Sequence, residues 1–186
     1  MSSSSNSRIA DAGLPATGRI DAPYRRQVLL TLFGLPLLAF AGDDPNAVWQ
    51  RWGSGQYRRF GFLIYEATLW AGADPLRPPL ALRLDYKRAI AGSAIAEASV
   101  GEMARLGADE ATLQRWGGQF AQFFPDVRDG DHILGVHRPD RAVFSFNGRP
   151  LGEIVDVEFA RRFFAIWLDP RTSAPELRAA LLRRSG

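Results

Sequence analysis

The chain has 186 residues, of which 46% are apolar and 23% charged, a composition typical of one globular domain and not of a disordered chain. It contains no cysteine, which excludes thiolate catalysis, zinc–thiolate sites and iron–sulfur clusters. The net charge is +3, of which residues 1–42 carry +2. The sequence after residue 42 therefore has no run of positive charge of the kind that indicates a nucleic-acid partner.

Residues 24–42 have the order of an export signal. Two adjacent arginines precede an apolar run over residues 28–40, which ends in an A-x-A pattern. We therefore expect residues 1–41 to be a signal peptide, cleaved after Ala41, and the mature protein to be periplasmic or otherwise exported. The arginine pair after a long serine-rich leader matches part of a twin-arginine signal; the alternative is a buried helix or an uncleaved anchor. No membrane span is predicted after residue 42.

Residues 42–186 are predicted to form one domain that begins with strands. Residues 49–55 are interpreted as a lead-in that ends in a Gly-Ser-Gly turn. The aromatic and β-branched residues of 56–70 predict strand structure, broken at Gly61. Because side chains alternate with a period of two, we expect one face to carry Leu63, Tyr65, Ala67 and Leu69, and the other Phe62, Ile64, Glu66 and Thr68. Alternation predicts another strand in residues 80–90.

The rest of the chain predicts helices around a second group of strands. Helical periodicity covers residues 94–106 and 109–124, separated at Gly107, and strands are predicted at 131–137 and 141–146 before an Asn147-Gly148 turn. Asp156 is predicted to cap a helix that ends at Leu168, and Pro175 to open a last helix. This order favours an α+β fold, with an antiparallel sheet covered on one face by helices.

Four segments carry a resemblance to a known family: GSGQYRRFGFLIYEATLWA (53–71), LRLDYKRAIAGSAIAEASVGEM (82–103), FSFNGRPLGEIVDVEFARRFFAIWLDP (144–170) and APELRAALL (174–182). An early G-x-G with Y-x-A-x-L-W is followed by a late N-G-x-x-x-G, an aromatic helix and I-W-L. Over nearly the whole mature chain the sequence resembles the bacterial chalcone isomerase-like family. The resemblance implies an open-faced sandwich with an apolar cleft between sheet and helices.

The residues at the family's catalytic positions do not match those of the plant isomerases. Those enzymes stabilise a phenolate with an arginine, and place a threonine, a tyrosine and an asparagine around bound water. The resemblance puts Tyr65 at the threonine, Ile95 near the tyrosine and Glu102 near the asparagine, and residues 92–124 contain neither Tyr nor Asn. Such a site depends most on stabilising the negative charge of the oxyanion, and these residues do not supply that stabilisation. We therefore expect no catalytic residues and no isomerase activity.

Ligand binding is what the resemblance implies instead. Fatty-acid-binding members of the fold grip a carboxylate with an arginine and a tyrosine, and a guanidinium fork suits that contact. Arg58 lies closest to the family's arginine position, whereas strict alternation puts Arg59 on the face of Tyr65 unless Gly61 introduces a bulge. Both arginines and Tyr65 are therefore candidate ligand-binding residues.

Other sites receive no support from the sequence. His132 and His137 are five positions apart in a predicted strand and so point to opposite faces, which predicts no metal pair. Asp126, Asp129 and Asp131 lack the spacing and the closing glutamate of a calcium loop. No metal and no cofactor are expected.

Three functions remain open. The first is a non-catalytic, exported protein that binds a small apolar or fatty-acid-like ligand between sheet and helices. The second is an isomerase or lyase that uses Arg58 with rearranged partners, and the third is an envelope interaction protein whose cleft is filled by its own core. A cleft larger than about 300 Å³ with a convergent polar group favours the first over the third.

Overall fold

The computed structural model describes residues 49–120 and 123–184. They form one sheet and four helices, in the order β1 (Gln50–Arg59), β2 (Phe62–Ala71), β3 (Leu80–Tyr86), α1 (Gly92–Arg105), α2 (Glu110–Phe120), β4 (His132–His137), β5 (Ala142–Phe146), β6 (Arg149–Ile154), α3 (Val157–Leu168) and α4 (Pro175–Leu181). The six strands lie in chain order, and each is antiparallel to its neighbours. The predicted α+β fold is confirmed. The predicted signal peptide lies outside the described residues.

The inner face of β2 follows the predicted alternation from Tyr65 onward, but Leu63, predicted on the same face, lies beyond a register shift. Ala67 and Leu69 of β2 pair with Leu84 and Leu82 of β3, and all four side chains are buried in the core. Tyr65 continues the same face toward the start of β2. None of the helices in the described ranges is long and apolar enough to cross a membrane.

Helix α3 supplies the aromatic part of the core. Asp156 caps it as predicted, since its Oδ1 accepts hydrogen bonds from the backbone N–H of Glu158 at 2.9 Å and of Phe159 at 3.0 Å. The predicted stripe of Phe159, Phe163, Ile166 and Trp167 is buried. Phe163 packs edge-on against Phe144 of the sheet, with ring centroids 5.1 Å apart. These contacts fix α3 on the sheet.

The Gly-Ser-Gly segment is not the predicted turn. Gly53 and Gly55 lie inside β1, beneath α4. A Cβ atom on Gly53 would meet the backbone oxygen of Ala180 and lie 2.6 Å from that of Leu181, and one on Gly55 would lie 2.7 Å from the Ala180 Cβ. Glycine is therefore needed because a helix backbone packs directly on the strand.

Strand β6 was not predicted. It follows the predicted turn, in which Asn147 and Gly148 both have positive φ. Its sequence RPLGEI contains Pro150 and Gly152, two residues that argue against a strand. Proline is tolerated here because β6 lies at the edge of the sheet. Gly152 pairs with Phe144, next to the register shift between Phe144 and Ser145, where glycine is common.

Candidate functional site

A cleft of about 400 Å³ opens between the sheet and the helices. Apolar residues from both layers line it, among them Leu84 and Ile133 of the sheet and Phe163 and Ile166 of α3. Its volume lies within the range of roughly 300 to 1,000 Å³ that is usual for small-molecule sites. The structure therefore contains the open, largely apolar space that the family resemblance implies.

Helix α1 lines the cleft with several small residues, whereas α3 lines it with large ones. Ala94, Ala98 and Ser99 of α1 line it, whereas α3 contributes Phe163 and Trp167. The Ser99 hydroxyl donates a 2.8 Å hydrogen bond to the Ile95 carbonyl of its own helix. With Ile95, this wall of α1 consequently offers methyl and other alkyl groups to a ligand, and Glu102 is its charged member.

Three tyrosines on neighbouring strands form the sheet side of the cleft. Tyr57 pairs with Tyr65, and Tyr65 pairs with Tyr86. The rings of Tyr57 and Tyr65 stack with centroids 5.0 Å apart, and Tyr86 meets Tyr65 edge-on at 5.9 Å. The antiparallel register therefore places one continuous aromatic surface along the cleft.

The hydroxyl of Tyr65 joins the sheet to α3. The indole Nε1 of Trp167 donates a 3.0 Å hydrogen bond to the Tyr65 Oη. Burial raises the pKa of Tyr65 far above its usual range, and the hydrogen bond from Trp167 offsets this only in part. Tyr65 therefore stays a neutral phenol at physiological pH.

A bulge in β2 decides which arginine faces the cleft. The pairing shifts from Tyr57–Tyr65 to Arg58–Leu63, which leaves Ile64 as the extra residue. Ile64 lines the cleft, so its expected place on the opposite face from Tyr65 is wrong. The irregularity lies at Ile64 and not at Gly61, because Phe60 and Gly61 form a regular turn with positive φ at both residues.

The two candidate arginines separate at this point. Arg59 lines the cleft together with Tyr65, because the bulge pairs Tyr57 with Tyr65 and Arg59 lies two residues after Tyr57 on the same face. Arg58 does not line it; its guanidinium donates to the Gln56 Oε1 at 3.1 Å and to the Gly61 carbonyl at 3.3 Å on the exposed surface. The structure thus brings Arg59 and Tyr65 to one cleft and leaves Arg58 outside it.

Sequence reasoning missed a second cation in the cleft. Arg88 lines the cleft two positions after Tyr86, on the face that the alternation of β3 would give it. Its guanidinium lies 4.7 Å from the ring centroid of Phe62, and that of Arg59 lies 5.4 Å from the ring of Phe60. Within residues 49–120 and 123–184, neither guanidinium has an anionic partner.

An acid also lines the cleft. Glu102 lines it and forms an ion pair of 2.9 Å with Arg105. Glu102 is ten residues into α1, roughly 15 Å of helix from its start, whereas Arg88 precedes that start. The lining thus has two cations near the ends of β1 and β3 and a carboxylate near the end of α1, whose charge also raises the pKa of Tyr65.

The histidines take no part in this cleft. His132 pairs with Asp85 on the outer face of the sheet, and His137 pairs with Leu80 on the inner face, so the expected opposite orientation is confirmed. His137 stacks on Phe164 at 5.0 Å, and burial lowers its pKa to about 4. Among the described residues, no group of three or more His, Cys, Asp or Glu side chains has the geometry of a metal site.

Comparison with known proteins decides the family. The sequence model of the chalcone isomerase-like family matches residues 64–183, which is more than half of the chain. The chain belongs to the chalcone isomerase-like family. Among solved structures, a fatty-acid binding protein of Arabidopsis thaliana is similar, with a TM-score of 0.56 and 12% identity over 72% of this chain and 86% of that protein. No curated protein sequence matches significantly.

At this low identity the likeness shows the chalcone isomerase-like fold and nothing about the ligand. The family match includes Tyr65, Arg88 and Glu102 but begins after Arg59. The three positions that the resemblance equates with catalytic residues, Tyr65, Ile95 and Glu102, all line the cleft. Their chemistry in this chalcone isomerase-like protein is a buried phenol, an alkyl group and a carboxylate.

The bond between Tyr65 and Trp167 generates a stability prediction for this chalcone isomerase-like domain. Tyr65→Phe keeps the ring but leaves the indole N–H of Trp167 without its acceptor, so we expect the free energy of unfolding to fall by about 1 to 3 kcal/mol. Tyr57→Phe is the matched control, because Tyr57 stacks on the same ring. Urea denaturation measures both, and equal midpoints for the two variants would contradict the role given to the Tyr65 hydroxyl.

Proposed function

We propose that this protein is a non-catalytic binding protein for an amphipathic carboxylate of the fatty-acid class. The observation that carries the proposal is an apolar cleft of about 400 Å³ whose lining includes two arginines without an anionic partner among the described residues. An envelope interaction protein that fills its own core would leave no such space. Because the solved structure that shares this fold is a fatty-acid binding protein, a fatty acid is the first ligand to test.

Charge determines the orientation that we propose for the ligand. An arginine beside an apolar cleft is stabilised by an anion or by water, and a carboxylate matches the guanidinium fork of Arg59 or Arg88. Glu102 would repel a carboxylate, so the head group stays near the arginines. The apolar chain then extends between the tyrosine surface of the sheet and the alkyl groups of α1.

The phenol of Tyr65 has a supporting part in this proposal. Its Oη accepts from Trp167, so its own hydrogen remains available for a ligand oxygen. Because the phenol is neutral, it adds a hydrogen bond without a charge. Arg59 and Tyr65 are therefore the two members of the sequence-based candidate set that we retain, and Arg88 joins them.

The same geometry argues against catalysis of the plant isomerase type. Arg58, the arginine nearest to the family's catalytic position, bonds to Gln56 and Gly61 on the surface. Glu102, near the position of the catalytic asparagine, would destabilise a developing phenolate because like charges repel. An isomerase would therefore have to use Arg59 or Arg88 with none of the family's other polar residues.

We predict that Arg59→Ala weakens the affinity for a long-chain fatty acid by about one to two decades. A charge-assisted hydrogen bond contributes roughly 1.5 to 3 kcal/mol, which corresponds to that factor. Displacement of a bound fluorescent fatty acid measures the dissociation constant. We expect Arg88→Ala to act in the same direction.

Two controls make this measurement specific. Arg58→Ala removes the same side chain one residue away, outside the cleft, and should leave the affinity unchanged. The methyl ester of the same fatty acid has no charge, so Arg59→Ala should not affect its binding. If the acid binds equally to the parent protein and to Arg59→Ala, the proposed head-group site is wrong.

We further propose that the protein works outside the cytoplasm, on the basis of the signal-like order of residues 24–42. The mature protein should then begin at Gly42, within a few residues. N-terminal sequencing of protein recovered from the periplasm tests this, and recovery of Met1 on soluble cytoplasmic protein would contradict it.

A further inference from the structure

The turn between β1 and β2 exposes two aromatic rings beside the mouth of the cleft. Phe60 is 87% exposed and Phe62 is 61% exposed, and they are the two exposed phenylalanines among the described residues. Positive φ values at Phe60 and Gly61 fix a two-residue hairpin turn. The backbone therefore holds both rings out from the end of the hairpin.

Basic side chains surround these rings. We define the hairpin tip as residues 58–62, with Lys87 and Arg88 after β3 and with Glu66, which forms a 3.1 Å ion pair with Lys87. A backbone hydrogen bond of 2.9 Å from Lys87 to the Ile64 carbonyl holds the end of β3 beside the hairpin. Arg88 then reaches over Phe62 and completes a surface of rings and guanidinium groups.

The tip carries the whole net charge of the described domain. Residues 49–184, which exclude Asp43 and Asp44, contain 19 arginines and lysines and 16 aspartates and glutamates. Four of these cations and one of these acids belong to the hairpin tip, so fifteen of each remain elsewhere. The described residues outside the tip thus sum to zero charge, whereas residues 42–186 as a whole, with Asp43 and Asp44, carry +1.

We propose that the hairpin tip is a docking site for the surface of an anionic phospholipid bilayer. Exposed aromatic rings insert at the level of the head groups, and arginines beside them meet the lipid phosphates. A protein partner would also bury the rings, whereas four basic residues beside a single acid in one small tip match the continuous negative charge of an anionic bilayer. Charge complementarity therefore favours anionic lipid.

Docking in this orientation places the cleft mouth against the bilayer, because Arg59 and Arg88 belong both to the tip and to the cleft lining. An amphipathic ligand then moves between bilayer and cleft without crossing water. This purpose rests on the proposed function, whereas the docking itself does not. The two can therefore fail separately.

The absence of cysteine from the sequence allows a site-specific test. An environment-sensitive fluorophore is attached to the Phe60→Cys variant of the full chain, and vesicles of phosphatidylcholine alone are compared with a one-to-one mixture of phosphatidylcholine and phosphatidylglycerol. We expect a blue shift and a gain in emission with the mixed vesicles only, reversed by high salt. The same label on Leu76→Cys should not respond, because Leu76 is exposed in the loop at the far end of β2.

Charge reversal in the labelled Phe60→Cys protein gives the second arm. Arg58→Glu should weaken the partition of the label into mixed vesicles by about tenfold or more, since each basic residue near an anionic surface contributes roughly a factor of five. Arg51→Glu, at the other end of β1, changes the net charge equally and should change the partition by less than about twofold. Fatty-acid affinity without vesicles should be the same in both variants, since neither residue lines the cleft.

Four results would overturn the docking site. They are no response of the label at residue 60 to mixed vesicles, an equal response of that label to phosphatidylcholine alone, equal effects of Arg58→Glu and Arg51→Glu, and a response of the label to rising protein concentration without lipid. The last result would assign the tip to self-association. Loss of fatty-acid binding with intact vesicle binding would refute the proposed function and leave the docking site standing.

Discussion

The hydrogen bond from Trp167 to Tyr65 joins two residues 102 positions apart and closes one side of the space between the layers. It requires a neutral phenol on the inner face of β2 and an indole on the buried stripe of α3. With α3 held there, the aromatic rings around Phe163 fill the space under β5. On the other side, several small residues of α1 line the cleft that remains.

The residues of a strand that face the helices were largely predictable, because they must recur along the strand with a period of two. Ala67 and Leu69, and the cap at Asp156, follow from local rules. The glycines of β1 do not: glycine is equally suited to a turn and to a close backbone approach, and only the contact with α4 distinguishes the two. Proline and glycine hid β6 for a related reason, since an edge strand tolerates both.

Of the candidate residues, the structure places Arg59 and Tyr65 in the cleft lining and Arg58 outside it. The bulge at Ile64 left no signal, because Leu63 and Ile64 are both aliphatic and either can face a core. Arg88 could have been found by extending the alternation of β3 beyond Tyr86. The hairpin tip could not have been found, because its two parts are distant in sequence and meet only through the register that pairs Tyr65 with Tyr86.

The central claim is that a carboxylate lies beside the cleft arginines with its chain in the apolar space. Carbon-13 NMR of a fatty acid labelled at its carboxyl carbon and bound to the protein tests it most directly. A guanidinium partner favours the ionised form, so we expect one bound resonance that titrates with a pKa below that of the acid in water. A bound resonance that titrates at a raised pKa would instead place the carboxyl group in the apolar interior near Glu102 and contradict the account.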